Sequence, residues 1–293
     1  MAHTLRRINC RNSGYTRFSI YPTPRRYKGR HRKNTTSPEQ LAAIAKNNSK
    51  LAQKNFICYV VENFMPEDYC VTLTFPTTTV DDIRYSEMKK CIKRLRYYYN
   101  KHDAKLKFIL VWGRGELNNM LHCHILVNSH PNIVYNDLWA AVNKYNYKTK
   151  QTEHHFHIQK IGSKYGRGSK IDTMKATSYY LIKHWSTLLP EDERIIKRRW
   201  YKSNSVSRPL DDRLSDKFDE ADVLPVSPTM MMKKLRHAKE YGSLDEMVEK
   251  LFPEYIKFPL SQVHLYQDFI GRWHFEIELI RKNSPFDEDN RKT

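Results

Sequence analysis

His122-Cys123-His124-Ile125-Leu126-Val127-Asn128 sets two imidazoles two residues apart inside an apolar run. Read as a strand, the run has a period of two, so His122, His124 and Leu126 share one face while Cys123, Ile125 and Val127 share the other. Two neutral imidazoles converging from one strand face can hold two corners of a divalent metal site. Phosphodiester-cleaving and hydrolytic centres most often need such a site. The pair alone says little. Thirteen histidines in 293 positions give about half an H-x-H by accident, and a second one stands at His155 and His157.

Immediately upstream, Lys107 to Trp112 (KFILVW) reads as a strand, and Gly113 to Met120 (GRGELNNM) as the turn of a hairpin. Its register decides whether an acid joins the histidines. A three-residue loop of Asn118, Asn119 and Met120 pairs Leu117 with Leu121 and sets Glu116 opposite His122, whereas a two-residue Asn118-Asn119 turn puts Glu116 on the other face. The three-residue loop is preferred, because two histidines leave a site short of a ligand. The oxygen donor of Glu116 would suit Mg²⁺ or Mn²⁺.

Further out, Tyr69 to Phe75 (YCVTLTF) alternates as a half-buried strand closed by Pro76, and Asp81 to Lys101 has helical spacing with a basic solvent face. Helices are expected from Ser37, as N-cap, toward Val61, and from Ile133 to Tyr145, with a strand near His155 to Ile161. Gly162 to Gly168 is a basic glycine loop without the Gly-Lys-Ser/Thr ending of a P-loop, and that ending occurs nowhere in the chain, so no NTPase motor is encoded. Asp172 is placed as the N-cap of a helix to about Leu188, with Met174, Ser178, Leu181, Ile182 and Trp185 as its core stripe. Tyr180 and Lys183 lie roughly 150 degrees from the centre of that stripe and about 60 degrees from each other. Tyr179 lies nearer the core flank.

The charge balance, 51 Lys plus Arg against 32 Asp plus Glu for a net +19, favours a polyanionic partner, with nucleic acid the default. Nineteen tyrosines and five tryptophans offer stacking platforms for unpaired bases. No apolar run approaches 18 residues and no secretory h-region opens the chain, so a cytoplasmic protein without membrane association is expected. The five cysteines lack C-x-x-C spacing and read as reduced thiols, several of them in the core. Three regions are expected: a flexible basic arm at 1–37, a main domain at 38–210, and a C-terminal accessory region at 211–293 that begins where the sequence turns acidic and proline-containing. That last region is expected to hold helical fragments at Leu244 to Leu251 and near Val263 to Ile270, and a strand at His274 to Ile280.

Three elements stand in order: a TLTF strand at Thr72 to Phe75, the H-x-H strand at His122 to His124, and a helix carrying Y-x-x-K at Tyr180 to Lys183. This order resembles the HUH endonucleases, specifically the rolling-circle replication initiators of small plasmids and single-stranded DNA phages. The likeness runs from about Glu62 to Arg208, with ENFMPEDYCVTLTF similar to the lead-in of the first motif and RRWYKSNSVSR to the closing strand. Cys123 departs from the usually bulky middle position of the motif. The resemblance implies an α+β fold: a central antiparallel β-sheet with the histidine strand in the middle, helices packed on one face, and a small mixed C-terminal region beyond.

It also implies that His122 and His124, with one more polar residue, bind Mg²⁺ or Mn²⁺, that Tyr180 is the nucleophile, and that Lys183 is a neighbouring cation that favours the phenolate or holds the phosphate. The reaction would nick single-stranded DNA at an origin hairpin, leaving a 5′-phosphotyrosine and a free 3′-hydroxyl that primes replication with the helicase and polymerase of a bacterial host. Four residues before and after Tyr180 stand Ala176 and His184, so the second tyrosine that some relatives carry in that frame is absent. A relaxase would have its tyrosine before the histidines, and a single-tyrosine transposase is usually much shorter. The alternative of another class is a non-catalytic, basic nucleic-acid-binding protein.

Overall fold

The computed structural model describes residues 2–23, 37–75, 79–115, 119–146, 148–149, 151–152, 154–162, 169–189, 192–196, 199–215, 226–258, 261–268 and 271–287. In chain order the elements are β1 (His3–Asn9), β2 (Tyr15–Pro22), α1 (Pro38–Asn63), β3 (Tyr69–Leu73), α2 (Asp81–Lys101), β4 (Phe108–Arg114), β5 (Leu121–Val127) and α3 (Tyr135–Asn143). They continue with β6 (Tyr145–Asn146), β7 (Gln151–Thr152), β8 (His157–Lys160), α4 (Lys170–Trp185), α5 (Glu193–Ile196), β9 (Trp200–Lys202) and β10 (Leu210–Ser215). Last come α6 (Pro228–Glu240), α7 (Leu244–Leu251), β11 (Tyr255–Ile256), β12 (His264–Gln267) and β13 (Trp273–Arg281). The class is α+β with two antiparallel sheets, as the sequence predicts. No helix among the described residues is long and apolar enough to cross a membrane.

Contacts divide the chain into one unit of Met1–Cys58 with Arg208–Thr293 and a second of Tyr59–Ser207. The second unit holds the histidine strand. Its sheet runs β8-β3-β5-β4-β9, so β5 lies in the centre. The alternation of β5 works as its spacing requires: Cys123, Ile125 and Val127 are fully buried in a core with Leu110 and Trp112 of β4, Leu95 and Tyr99 of α2, and Leu138 and Val142 of α3. Burying that one continuous face is the main hydrophobic gain of the unit, at about 25 cal/mol per Å² of apolar surface. His122 and His124 project from the opposite face, against which α4 packs through β4. Cys123, Cys91 and Cys70 are buried thiols, which burial pushes up to about 12 for the latter two, so they act as small core hydrophobes.

In the first unit the sheet runs β10-β1-β2-β13-β11, with β12 on β13. Where the sequence predicts a flexible arm over 1–37, His3–Asn9 and Tyr15–Pro22 are strands; residues 24–36, which hold most of the basic run, lie outside the described residues. The reason is non-local. Leu5, Phe18 and Ile20 supply core for Met231, Leu235, Leu251 and Phe275, more than two hundred residues away in sequence. Arg6 and Arg7 pair with Asp211 and Asp212 at 2.8 and 2.9 Å. The acidic turn in the sequence at 211, read as a boundary, is thus the start of the partner strand β10. Val263 to Ile270, expected as helix, contains strand β12, because Leu265 is buried opposite Phe275 of β13.

Local signals hold where the chemistry is local. Ser37 caps α1 in a reciprocal box, its hydroxyl accepting from the Gln40 amide at 3.3 Å while Gln40 Oε1 accepts from the Ser37 amide at 3.1 Å. In α4 the cap is Ser169, one turn earlier than the expected Asp172. Ser169 Oγ accepts from the Asp172 amide at 3.2 Å and donates to Asp172 Oδ2 at 2.7 Å, so Asp172 is the returning member of the box.

Candidate metal centre

Strand β5 delivers His122 and His124 to one face two residues apart, and α4 crosses that face with Tyr180 and His184 one turn apart. His122, His124 and His184 offer ring nitrogens that all lie within 4.8 Å of one another, a group that could hold a metal ion. His122 Nε2 faces His184 Nδ1 at 3.1 Å. His122 Nδ1 stands 3.3 Å from the Met120 carbonyl, which can only accept, so the proton sits on Nδ1 and Nε2 presents its lone pair.

His124 is 3 % exposed. Its Nδ1 lies 3.0 Å from the hydroxyl of Thr72, the residue directly opposite it on β3, and its Nε2 has no hydrogen-bond partner. A buried, unpartnered ring nitrogen carries a desolvation cost that a metal would remove, and Thr72 fixes the ring as second-sphere hydroxyls and carbonyls do in metal sites. Burial holds the His124 imidazole well below the usual histidine range, helped by the neighbouring His184 and His122. It lowers His122 too, against the Met120 carbonyl. Both rings therefore stay neutral, the form that binds metal.

Tyr180 is half-buried, and its ring packs edge-on against His124 and His184, with centroids 5.3 and 4.4 Å away. Tyr179, next in the chain, is 53 % exposed instead of tucked along the core edge. Lys183 is exposed in the last turn of α4.

Glu116, the expected oxygen ligand, lies outside the described residues. The register behind that expectation differs, because Gly113, not Glu116, stands opposite His122, and pairing ends with Arg114 opposite Leu121. The loop closes differently: the Asn119 amide donates to the Gly115 carbonyl at 2.9 Å, with Asn119 at φ 51°. His155 and His157 join no metal-binding group among the described residues; His157 is exposed beside Gln159.

His184 was not expected as part of the site. The signal was available, since a residue four after Tyr180 shares its helix face. What places it against His122 is tertiary. A Cβ on Gly113 would come within 2.8 Å of both the Cβ and the carbonyl oxygen of His184, so only glycine lets α4 lie this close to β4. Thr187 Oγ1 then ties the two elements, donating to the His184 carbonyl at 2.6 Å and accepting from the Arg114 amide at 2.8 Å. Arg114 itself is anchored on Asp192, with Nε 2.9 Å from Oδ2. Gly113→Ala is expected to destabilise the protein by about 1–3 kcal/mol through overpacking against backbone and to weaken metal binding. A denaturant midpoint and a metal titration check this; an unchanged metal affinity would show that His184 does not need this close approach.

An antiparallel-sheet domain with a three-histidine group on its central strand and crossing helix, and a tyrosine against it, is the class that the geometry defines. The family model of the replication-associated protein ORF2 matches residues 68–187, from just before β3 to just past α4. That family fits the initiation of rolling-circle replication, and with it DNA as partner. No curated protein and no solved structure matches the chain.

Proposed function

We propose that the unit Tyr59–Ser207 nicks single-stranded DNA at a replication origin, with Tyr180 as nucleophile and His122, His124 and His184 as the metal ligands. The observation that carries the reading is the packing of the Tyr180 ring on two of the three histidines. It sets a phenol beside the only three-residue metal-binding group among the described residues. A divalent ion held there would polarise the scissile phosphate and offset the charge that builds on its oxygens. The Tyr180 oxygen attacks the phosphorus in line, the bond to the 3′-oxygen breaks, and the phenolic proton leaves as the departing 3′-oxygen gains one. The products are a 5′-phosphotyrosine and a 3′-hydroxyl end able to prime synthesis. Lys183, one turn along from Tyr180, supplies positive charge to the phosphate.

The donor set bears on the ion. Three imidazoles favour a transition ion over Mg²⁺, so of the two ions expected, Mn²⁺ is the better match. His184→Ala is expected to raise the metal concentration for half-maximal cleavage about 10- to 100-fold or more, the scale on which even outer-sphere losses act. Glu116→Ala is expected to leave that concentration within a few-fold of wild type. Overlaid titrations for wild type and His184→Ala, with a displaced one for Glu116→Ala, would return the third ligand to Glu116.

A further inference from the structure

We propose that the groove between α2 and α3 is a second binding track, for single-stranded DNA, on the face of the sheet away from the histidines. The inference rests on the reading of this unit as a DNA-nicking domain, but it uses none of that site's residues. The two helices pack side by side over the buried face of β5 and leave a cavity of about 750 Å³ between them, a size that holds an organic ligand of several rings.

Its wall on α2 is a single line. Lys90, Arg94, Tyr97 and Lys101 recur at intervals of four, three and four, with Lys93 beside them, along about 16 Å of helix. Lys90 is paired with Glu87 at 2.6 Å, but Lys93 and Lys101 have no ion pair among the described residues. Asp137 is the only carboxylate among the described residues of the lining. On the opposite wall the C-terminal carbonyls of α3 would repel phosphate. Arg94 covers them, donating to Ala141 and Val142 carbonyls at 3.0 Å each.

Cations alone would describe a solvated helix face or a duplex-backbone contact. The discriminating feature is Tyr97, 72 % exposed on a rigid helix between these lysines, with no ring partner among the described residues. An exposed ring set between phosphate-binding cations is a stacking platform for an unpaired base, which duplex DNA does not present.

The test uses the full chain carrying Tyr180→Phe, in chelator, with a labelled oligothymidine read by fluorescence anisotropy across a salt series. Adding Lys93→Gln and Lys101→Gln should make the slope of log affinity against log salt shallower by about 1.4, two contacts at about 0.7 each for single strands. Adding Tyr97→Ala should weaken the oligothymidine roughly 5- to 150-fold and leave an abasic oligonucleotide of equal length unchanged. With Tyr180 restored, the same variants should form the covalent adduct to wild-type yield at saturating oligonucleotide, which also reports that they fold. An unchanged slope overturns the proposal. So does a Tyr97→Ala loss equal for abasic strand, or a lysine effect confined to duplex. If wild type forms no adduct at all, the proposed function fails while the groove result stands on its own binding readout.

Discussion

Tyr180→Phe should fold, bind single-stranded DNA as wild type does, and form no covalent adduct on a denaturing gel with a labelled oligonucleotide. Only an oxygen is removed from a half-buried ring, so stability should change by no more than about 1 kcal/mol, the scale of one hydrogen bond. Chemistry, by contrast, loses its nucleophile. The control is Tyr179→Phe, which should still be trapped on the 5′-phosphate. Tyr179 is exposed enough to reach substrate, but it points about 100 degrees away around the helix, whereas the Tyr180 ring lies 5.3 Å from His124 and 4.4 Å from His184. An adduct that survives Tyr180→Phe and vanishes with Tyr179→Phe would move the nucleophile by one residue.

Replacing His122 and His124 together by alanine should abolish metal-dependent cleavage and leave DNA affinity within a few-fold. Two of the three nitrogens in the group go, and what remains cannot hold an ion in fixed geometry. Affinity persists because it comes from a chain with a net charge of +19, not from the centre. His124 is buried, so its removal also opens a cavity and strips the Thr72 hydroxyl of its partner. Circular dichroism of the variant must therefore match wild type before the loss is read as catalytic. Nicking that continues unchanged in this folded double variant would end the metal-assisted reading. A parallel loss of binding and cleavage would show instead that the histidines serve DNA contact.

What was legible in the sequence is what short-range geometry decides. A period of two puts His122 and His124 on one face and Cys123 in the core whatever the rest of the chain does, and β5 realises it. A period of 3.6 separates Tyr180 from the stripe of Met174, Leu181, Ile182 and Trp185, all buried in α4. The reciprocal box at Ser37 and Gln40 is written in four consecutive residues. These signals carried the class of fold, the central strand and the order of the motifs.

Tertiary structure decided everything that depends on which distant surfaces meet. Hydrophobic burial has no sequence range, so Leu5, Phe18 and Ile20 of a basic N-terminal stretch found their core beyond residue 230, and the expected arm holds two strands. The register of β4 on β5 follows from how the turn closes at Gly115 and Asn119, which spacing alone left open. The third member of the histidine group depends on an approach between α4 and β4 that a missing side chain at Gly113 permits. His184 was visible as a neighbour of Tyr180 on the helix, but nothing within a few residues of it encodes the 3.1 Å meeting with His122, because that distance is set by the packing of one whole element on another.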